Sequence, residues 1–122
     1  MPGYAPSEAA RRSGFSLDTL RYYEKIGLLN EVGRNSSGRR VFTDDDLEWL
    51  VLFRCLRDTG MPITEMCRYA DLARAGEPTV GERQELLEQH AERVEERMRL
   101  LQRQYDHLQA KIRFYDQHAR PR

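Results

Sequence analysis

The sequence predicts a mainly α-helical chain, and three stretches carry that prediction. Ser16–Leu29, SLDTLRYYEKIGLL, has the marks of a capped helix. Thr43 is followed by three acids and a mostly apolar run to about Asp58. Beyond Thr79, apolar residues recur every seven positions over about five repeats. Of the 122 residues, 33% are charged and 39% hydrophobic, a balance that suits helices with a large solvated surface.

The first element is a short helix over Ser7–Ser13, SEAARRS, ended by Gly14. The second starts at Ser16, whose hydroxyl suits a cap, has Asp18 in its first turn, and ends near Lys25 and Gly27. Leu17, Leu20, Tyr23 (or Glu24) and Leu28 lie at helical spacing, so one face is apolar. The other face offers Thr19, Arg21, Tyr22 and Lys25, side chains that suit phosphates and base edges. Helix, glycine turn and capped second helix form a helix-turn-helix pattern, whose second helix enters the major groove. Ser37-Gly38 followed by Arg39, Arg40, Val41 and Phe42 predicts a tight hairpin with a basic tip, a wing. On the residues alone, a small helical hairpin with an ordinary charged surface is the alternative.

The third helix is capped at Thr43 and stopped by Gly60, with Leu47, Leu50 and Val51 on its core face. Trp49 either covers a core edge or meets a partner. Pro62 suits the first turn of a fourth helix carrying Ile63, Met66, Tyr69, Ala70 and Leu72. Gly76-Glu77-Pro78 breaks the chain, and Thr79 caps the long helix. There Val80, Leu87, Val94, Leu101, Leu108 and Tyr115 recur in sevens, and Gln84, Ala91, Met98, Tyr105 and Ile112 follow each by four. This is a coiled-coil seam, which requires a partner, most simply a second copy. The competing arrangement folds the helix back on its own domain.

Charge is partitioned. Through Phe42 there are seven Lys or Arg against four acids; residues 43–75 carry four against seven; the remainder balances at nine each, for a net charge of zero. This implies modest DNA affinity per subunit, with useful binding needing two. No apolar run approaches the roughly 20 residues of a membrane span, and no signal region opens the chain. Cys55 and Cys67 are then expected to be free thiols in a cytoplasmic protein. Enzymatic function is disfavoured: there is no C-x-x-C and no base at fixed spacing from either thiol. His90, His107 and His118 are too far apart along one helix to chelate, and His90 is expected at the surface or in the seam. No metal, cofactor or catalytic residue is expected.

RYYEKIGLL, then GRRVFTDDDLEWL, then FRCLRDTGMPITEM, in this order and spacing, resemble the MerR family of transcriptional regulators. The resemblance implies a winged helix-turn-helix DNA-binding domain with a helical extension over residues 1–76. A coiled-coil dimerisation helix follows over residues 79–118 and pairs antiparallel through Leu87, Val94, Met98, Leu101, Tyr105, Leu108 and Ile112. DNA contacts carry over to Ser16, Leu17, Asp18, Arg21, Tyr23, Arg34, Arg39 and Arg40. Arg39 and Phe42 stand where relatives usually carry an aromatic residue and a tyrosine, which implies a wing that depends more on charge. The implied partners are double-stranded promoter DNA, a second copy and, through the promoter, RNA polymerase. The implied mechanism is bending and untwisting of an over-long promoter spacer.

The cysteines of metal-responsive relatives, at the far end of the long helix, have no counterpart here. No separate ligand-binding domain is expected after the heptads. FRCLRDTGM resembles the subgroup responsive to aldehydes and nitrosothiols, which makes Cys55 the sensor candidate. Flanking Arg54 and Arg57 would favour its thiolate, and an adduct would strain packed surroundings. A buried, inert Cys55 is the competing reading from the residues, and Cys67 is expected to be a packing residue. The alternatives in function are non-covalent sensing of a small molecule and an architectural dimer without effector.

Overall fold

The computed structural model describes residues 3–29 and 32–118. Its helices are α1 (Pro6–Ser13), α2 (Leu17–Lys25), α3 (Asp44–Asp58), α4 (Ile63–Ala75) and α5 (Val80–His118), with a 3-10 turn at Glu77–Thr79. Two compact units divide the chain, one ending at Gln84 and the other starting at Glu85.

In the first unit, α1 starts at Pro6, whose missing N–H is no loss in a first turn. Gly14 closes it at φ 80°, the left-handed conformation that disfavours a side chain. A Cβ there would also collide with the Arg54 guanidinium, which donates from Nη1 to Ser13 O at 3.3 Å. The turn thus admits both the reversal and a strut from α3. Ser16 caps α2 by accepting from Thr19 N at 3.1 Å. Gly27, at φ 83°, turns the chain back so that Leu28 and Leu29 are buried, and Arg74 of α4 donates to Leu28 O at 2.7 Å.

The core is aromatic at its centre. Phe15 meets Tyr23 edge-on at 5.2 Å between centroids, and Tyr23 meets Phe53 at 6.5 Å. α3 is held by a reciprocal capping box: Asp46 N donates to Thr43 Oγ1, and Thr43 N donates to Asp46 Oδ2. Its buried residues are Leu50, Phe53 and Leu56. The expected core position Val51 is instead 65% exposed, because it lies about 100° further round the helix than Leu50. Leu17 is likewise exposed at 38%, and Leu28 joins the core from beyond α2.

Three further expectations change. Pro62 precedes α4 as its cap residue and does not lie in its first turn. Thr79 is no cap: its hydroxyl donates to Leu72 O at 2.5 Å and Gly76 O at 2.8 Å, tying the 3-10 turn to the end of α4. The wing is slight, since Arg34–Arg40 and Tyr4–Phe42 form only isolated bridges among the described residues. Its turn is nonetheless well tied. Asn35 Oδ1 accepts from Ser37 N and Arg39 N, and Gly38 N donates to Asn35 O at 2.9 Å.

α5 runs for 39 residues, roughly 58 Å at 1.5 Å per residue. In the second unit Met98, Leu101, Tyr105, Leu108, Ile112 and Tyr115 are exposed, Leu101 at 66%. Leu87 and Val94, earlier in the same register, are half-buried. His90 is buried, contrary to the expected surface or seam position, with its Nδ1 3.3 Å from Arg93 Nη2. It lies four residues after Leu86, the other buried residue of α5 among those described, and so on the same side of the helix.

Candidate nucleic-acid interface

α2 turns one side to the core and one to solvent. Leu20 and Tyr23 face inward. Leu17, Asp18, Arg21, Tyr22 and Lys25 are exposed and follow a helical stripe. Arg21 Nη1 lies 3.1 Å from Asp18 Oδ1, and the side chains are 63% and 92% exposed. So exposed an ion pair is worth little, roughly 0–1 kcal/mol, so Arg21 is held out from the helix yet is readily released to a stronger anion. Ser16 spends its hydroxyl on Thr19, donating to Oγ1 at 3.0 Å and accepting from the amide. It therefore sets the start of the helix more than it offers a side chain.

Tyr23 is corrected as a DNA contact. Its ring is 4% exposed and wedged between Phe15 and Phe53, and burial pushes its phenol above the usual tyrosine range. The half-exposed tyrosine is Tyr22, its neighbour on the outer face. The helical pattern had placed Tyr22 there, while the family resemblance pointed to Tyr23.

The wing arginines have three different situations. Arg34 donates from Nη1 to Gly38 O at 2.8 Å, bracing the loop from which Arg39 projects into solvent. Arg40 turns back: its Nε lies 2.8 Å from Glu24 Oε1 of α2. That contact is an ion pair in distance, but the N–H is not aligned on the oxygen, so buried Nε lacks a hydrogen-bond acceptor. Glu24 Oε2 also accepts from Val32 N at 3.2 Å. Glu24 thus ties both ends of the wing segment to α2, a role that sequence reasoning missed because its partners lie 8 and 16 residues away. Arg40 is a wing-positioning side chain before it is a DNA contact.

On the first helix of the helix-turn-helix, Arg11 and Arg12 both pair with Glu8 and hold its carboxyl down at about 2. Arg12 also lies over the Tyr4 ring at 4.5 Å, and Tyr4 donates to Asp44 Oδ1 at 2.8 Å. The hydrogen bond to Asp44 is the main reason the Tyr4 phenol titrates above its usual range.

Cys55 is exposed on α3, which overturns both the buried reading and the expected packed surroundings. Its arginine neighbours are occupied elsewhere. Arg54 Nε donates to Asp58 at 2.6 Å, and the Arg57 guanidinium lies 4.8 Å from the Phe15 ring centre and 3.3 Å from Asp58. Cys67 is half-buried on α4, and desolvation pushes its thiol up. Among the described residues no group of three His, Cys, Asp or Glu could hold a metal, and no helix is long and apolar enough to cross a membrane.

A capped helix with an exposed Arg–Tyr face, a glycine turn before it and a basic wing after it defines a helix-turn-helix DNA-binding regulator. The family described as MerR HTH family regulatory protein matches residues 4–72, and the one described as MerR, DNA binding, matches residues 47–111. The chain belongs to the MerR family of helix-turn-helix transcriptional regulators. It is 42% identical over 112 residues to an uncharacterised HTH-type transcriptional regulator of Haemophilus influenzae, covering 92% of this chain and 83% of that protein. Its fold matches the crystal structure of HiNmlR, a MerR family regulator lacking the sensor domain, bound to promoter DNA. There the TM-score is 0.85 at 40% identity, over 95% of this chain and 92% of the other. It also matches a MerR family regulator from Listeria monocytogenes, with a TM-score of 0.88 at 40% identity over 94% and 87%. These relatives and families are transcriptional regulators, and the chain is a DNA-binding regulator and not an enzyme.

Proposed function

We propose that this regulator works as a homodimer that straddles one pseudo-palindromic promoter and remodels its DNA, with Cys55 as its electrophile sensor. The observation that carries the dimer is the row Met98, Leu101, Tyr105, Leu108 and Ile112, all exposed on a single helix. Each such side chain is worth roughly 1.5–3 kcal/mol when fully buried, so a second copy of the row is a strong partner. Pairing places two recognition helices on one duplex, which compensates for the weak net charge of each chain. Leu17, Asp18, Arg21 and Tyr22 then read the groove, Arg39 reaches phosphate, and Arg34, Arg40 and Ser16 position them. On this reading the DNA-binding portion is residues 1–76, the pairing helix is residues 79–118, and the complex acts on RNA polymerase in the cytoplasm by changing promoter geometry.

HiNmlR is a MerR family regulator lacking the sensor domain, bound to promoter DNA, and by that likeness sensing falls here to a side chain of the DNA-binding unit. Cys55 is exposed, so a small electrophile reaches Sγ without unfolding. A nitrosothiol would transfer its nitroso group to the thiolate and release its own thiolate. An aldehyde would take the thiolate at its carbonyl carbon and pick up a proton on oxygen. Either product changes the α3 surface beside exposed Val51, one turn earlier, and an altered surface biases a two-state dimer where core strain would not.

The test is in vitro transcription on the promoter that the purified protein protects from nuclease. Cys55→Ser is expected to bind that promoter normally and to lose activation by added aldehyde or nitrosothiol, while Cys67→Ser responds like the parent. Full activation of Cys55→Ser would remove the thiol sensor and favour a non-covalent effector or none.

A further inference from the structure

We propose that the cleft between α3 and α4 binds an organic cation with an aromatic or alkyl body. The cleft has a volume of about 320 Å³ and is lined by Asp45, Glu48, Trp49, Leu52, Tyr69 and Arg83. All six belong to the unit that ends at Gln84.

The first four follow α3 at i, i+3, i+4 and i+7, so a single helical face presents two carboxylates, an indole and an aliphatic side chain. Tyr69 comes from α4, its ring 6.2 Å from Trp49 and inclined at 63°. Two half-exposed rings, in edge-to-face contact with each other, therefore border the cleft, and aromatic side chains suit alkylated ammonium groups. Trp49 is fixed for this by Phe53 behind it, at 5.4 Å.

The charges favour the same class. Among the described residues neither Asp45 nor Glu48 has a hydrogen-bond or ion-pair partner. Arg83, the only cation of the lining, is turned to the 3-10 segment, with Nε donating to Thr79 Oγ1 at 3.1 Å and Nη2 to Gly76 O at 3.2 Å. The lining therefore carries a net single negative charge beside apolar surface, complementary to a monocation. An anion would meet two free carboxylates, and a neutral guest would leave them without partners.

Trp49 is the only tryptophan of the chain, so its fluorescence reports on its own surroundings, and the Tyr69 and Glu48 variants assign a response to this cleft and not to the smaller one that Trp49 shares with Leu28, Leu29 and Arg74. The full-length protein is titrated with benzyltrimethylammonium, with benzenesulfonate, and with neopentylbenzene as the neutral isostere. A saturable change is expected with the cation and neither of the others. Glu48→Gln, and separately Tyr69→Leu, should each weaken it about fivefold, while Glu77→Gln outside the cleft leaves it unchanged. Circular dichroism of each variant separates lost binding from lost fold. Equal response to the neutral isostere, or indifference to Glu48→Gln in a folded protein, would overturn the proposal. So would a response seen only when Leu101→Glu has separated the chains, because the cleft would then belong to the second copy.

Discussion

Glu24 of the recognition helix holds Arg40 of the wing, with Oε1 2.8 Å from Arg40 Nε and its other oxygen on the Val32 amide. The carboxylate is 16% exposed and Arg40 34%, so solvent screens this pair less than the open Arg21–Asp18 pair. The pair therefore joins recognition helix and wing, and the charge of one wing arginine already faces a carboxylate in the protein without DNA.

Glu24→Gln should release Arg40 while keeping an acceptor for Val32 N. Hydrogen exchange at the Val32 and Val41 amides is expected to quicken. Binding to random DNA should strengthen, with the salt slope steeper by about one unit as Arg40 finds a phosphate. Unchanged exchange and slope would mean that the pair does not set the wing.

Arg21 and Arg39 separate base reading from phosphate binding. Arg21→Ala should weaken operator binding by roughly 1–3 kcal/mol and leave random DNA nearly untouched. Arg39→Ala should weaken both alike and flatten the salt slope by about one unit. Electrophoretic mobility shifts over a salt series read both, and equal losses for Arg21→Ala on the two DNAs would deny it a base.

Leu101→Glu places a carboxylate in the middle of the exposed apolar row. Burying it against a second copy would cost roughly 3 kcal/mol or more per chain, so sedimentation equilibrium should find monomer at low micromolar concentration. A persisting dimer would put the interface elsewhere.

Glu8 gives the pH dependence. Its hydrogen bonds to Arg11 and Arg12 bring its carboxyl from 4.5 to about 2. A group depressed on folding contributes stability that is present above the unfolded value and is lost as pH falls through the folded one. The Glu8 contribution should therefore fade between about pH 4.5 and pH 2, and Glu8→Gln should make the melting temperature less sensitive to pH across that window. A Glu8 carbon resonance titrating near 4.5 would contradict the paired geometry.

Much of the helical layout was legible because its signals are local. The Ser16 cap, the Thr43 cap, the stop at Gly60 and the turn at Ser37-Gly38 each depend on residues within a few positions of one another, and the structure bears them out. Thr79 shows the limit of such local signals. A hydroxyl before a long helix resembles a cap, yet whether it accepts from an amide or donates to Leu72 O depends on where α4 ends.

The DNA-facing side of α2 was half legible for the same reason. Periodicity separates Arg21, Tyr22 and Lys25 from Leu20 and Tyr23, and that separation held against the pull of the family motif toward Tyr23. Cys55 was misplaced into packed surroundings because the exposed side of α3 depends on which neighbours cover it, and Val51 and Cys55 share a side that Phe53 and Leu56 do not.

By itself, then, the sequence determined the order of helices, the caps at Ser16 and Thr43, the family and the apolar row of α5, since each is written in neighbouring residues or in a fixed repeat. Only the tertiary structure decided that Tyr23 is core, that Cys55 is open, that Glu24 binds the wing to the recognition helix, and that Asp45, Glu48, Trp49 and Tyr69 share a cleft. These facts depend on side chains from separate elements meeting at a few ångströms, and such meetings follow from how helices pack, which no single window of sequence encodes.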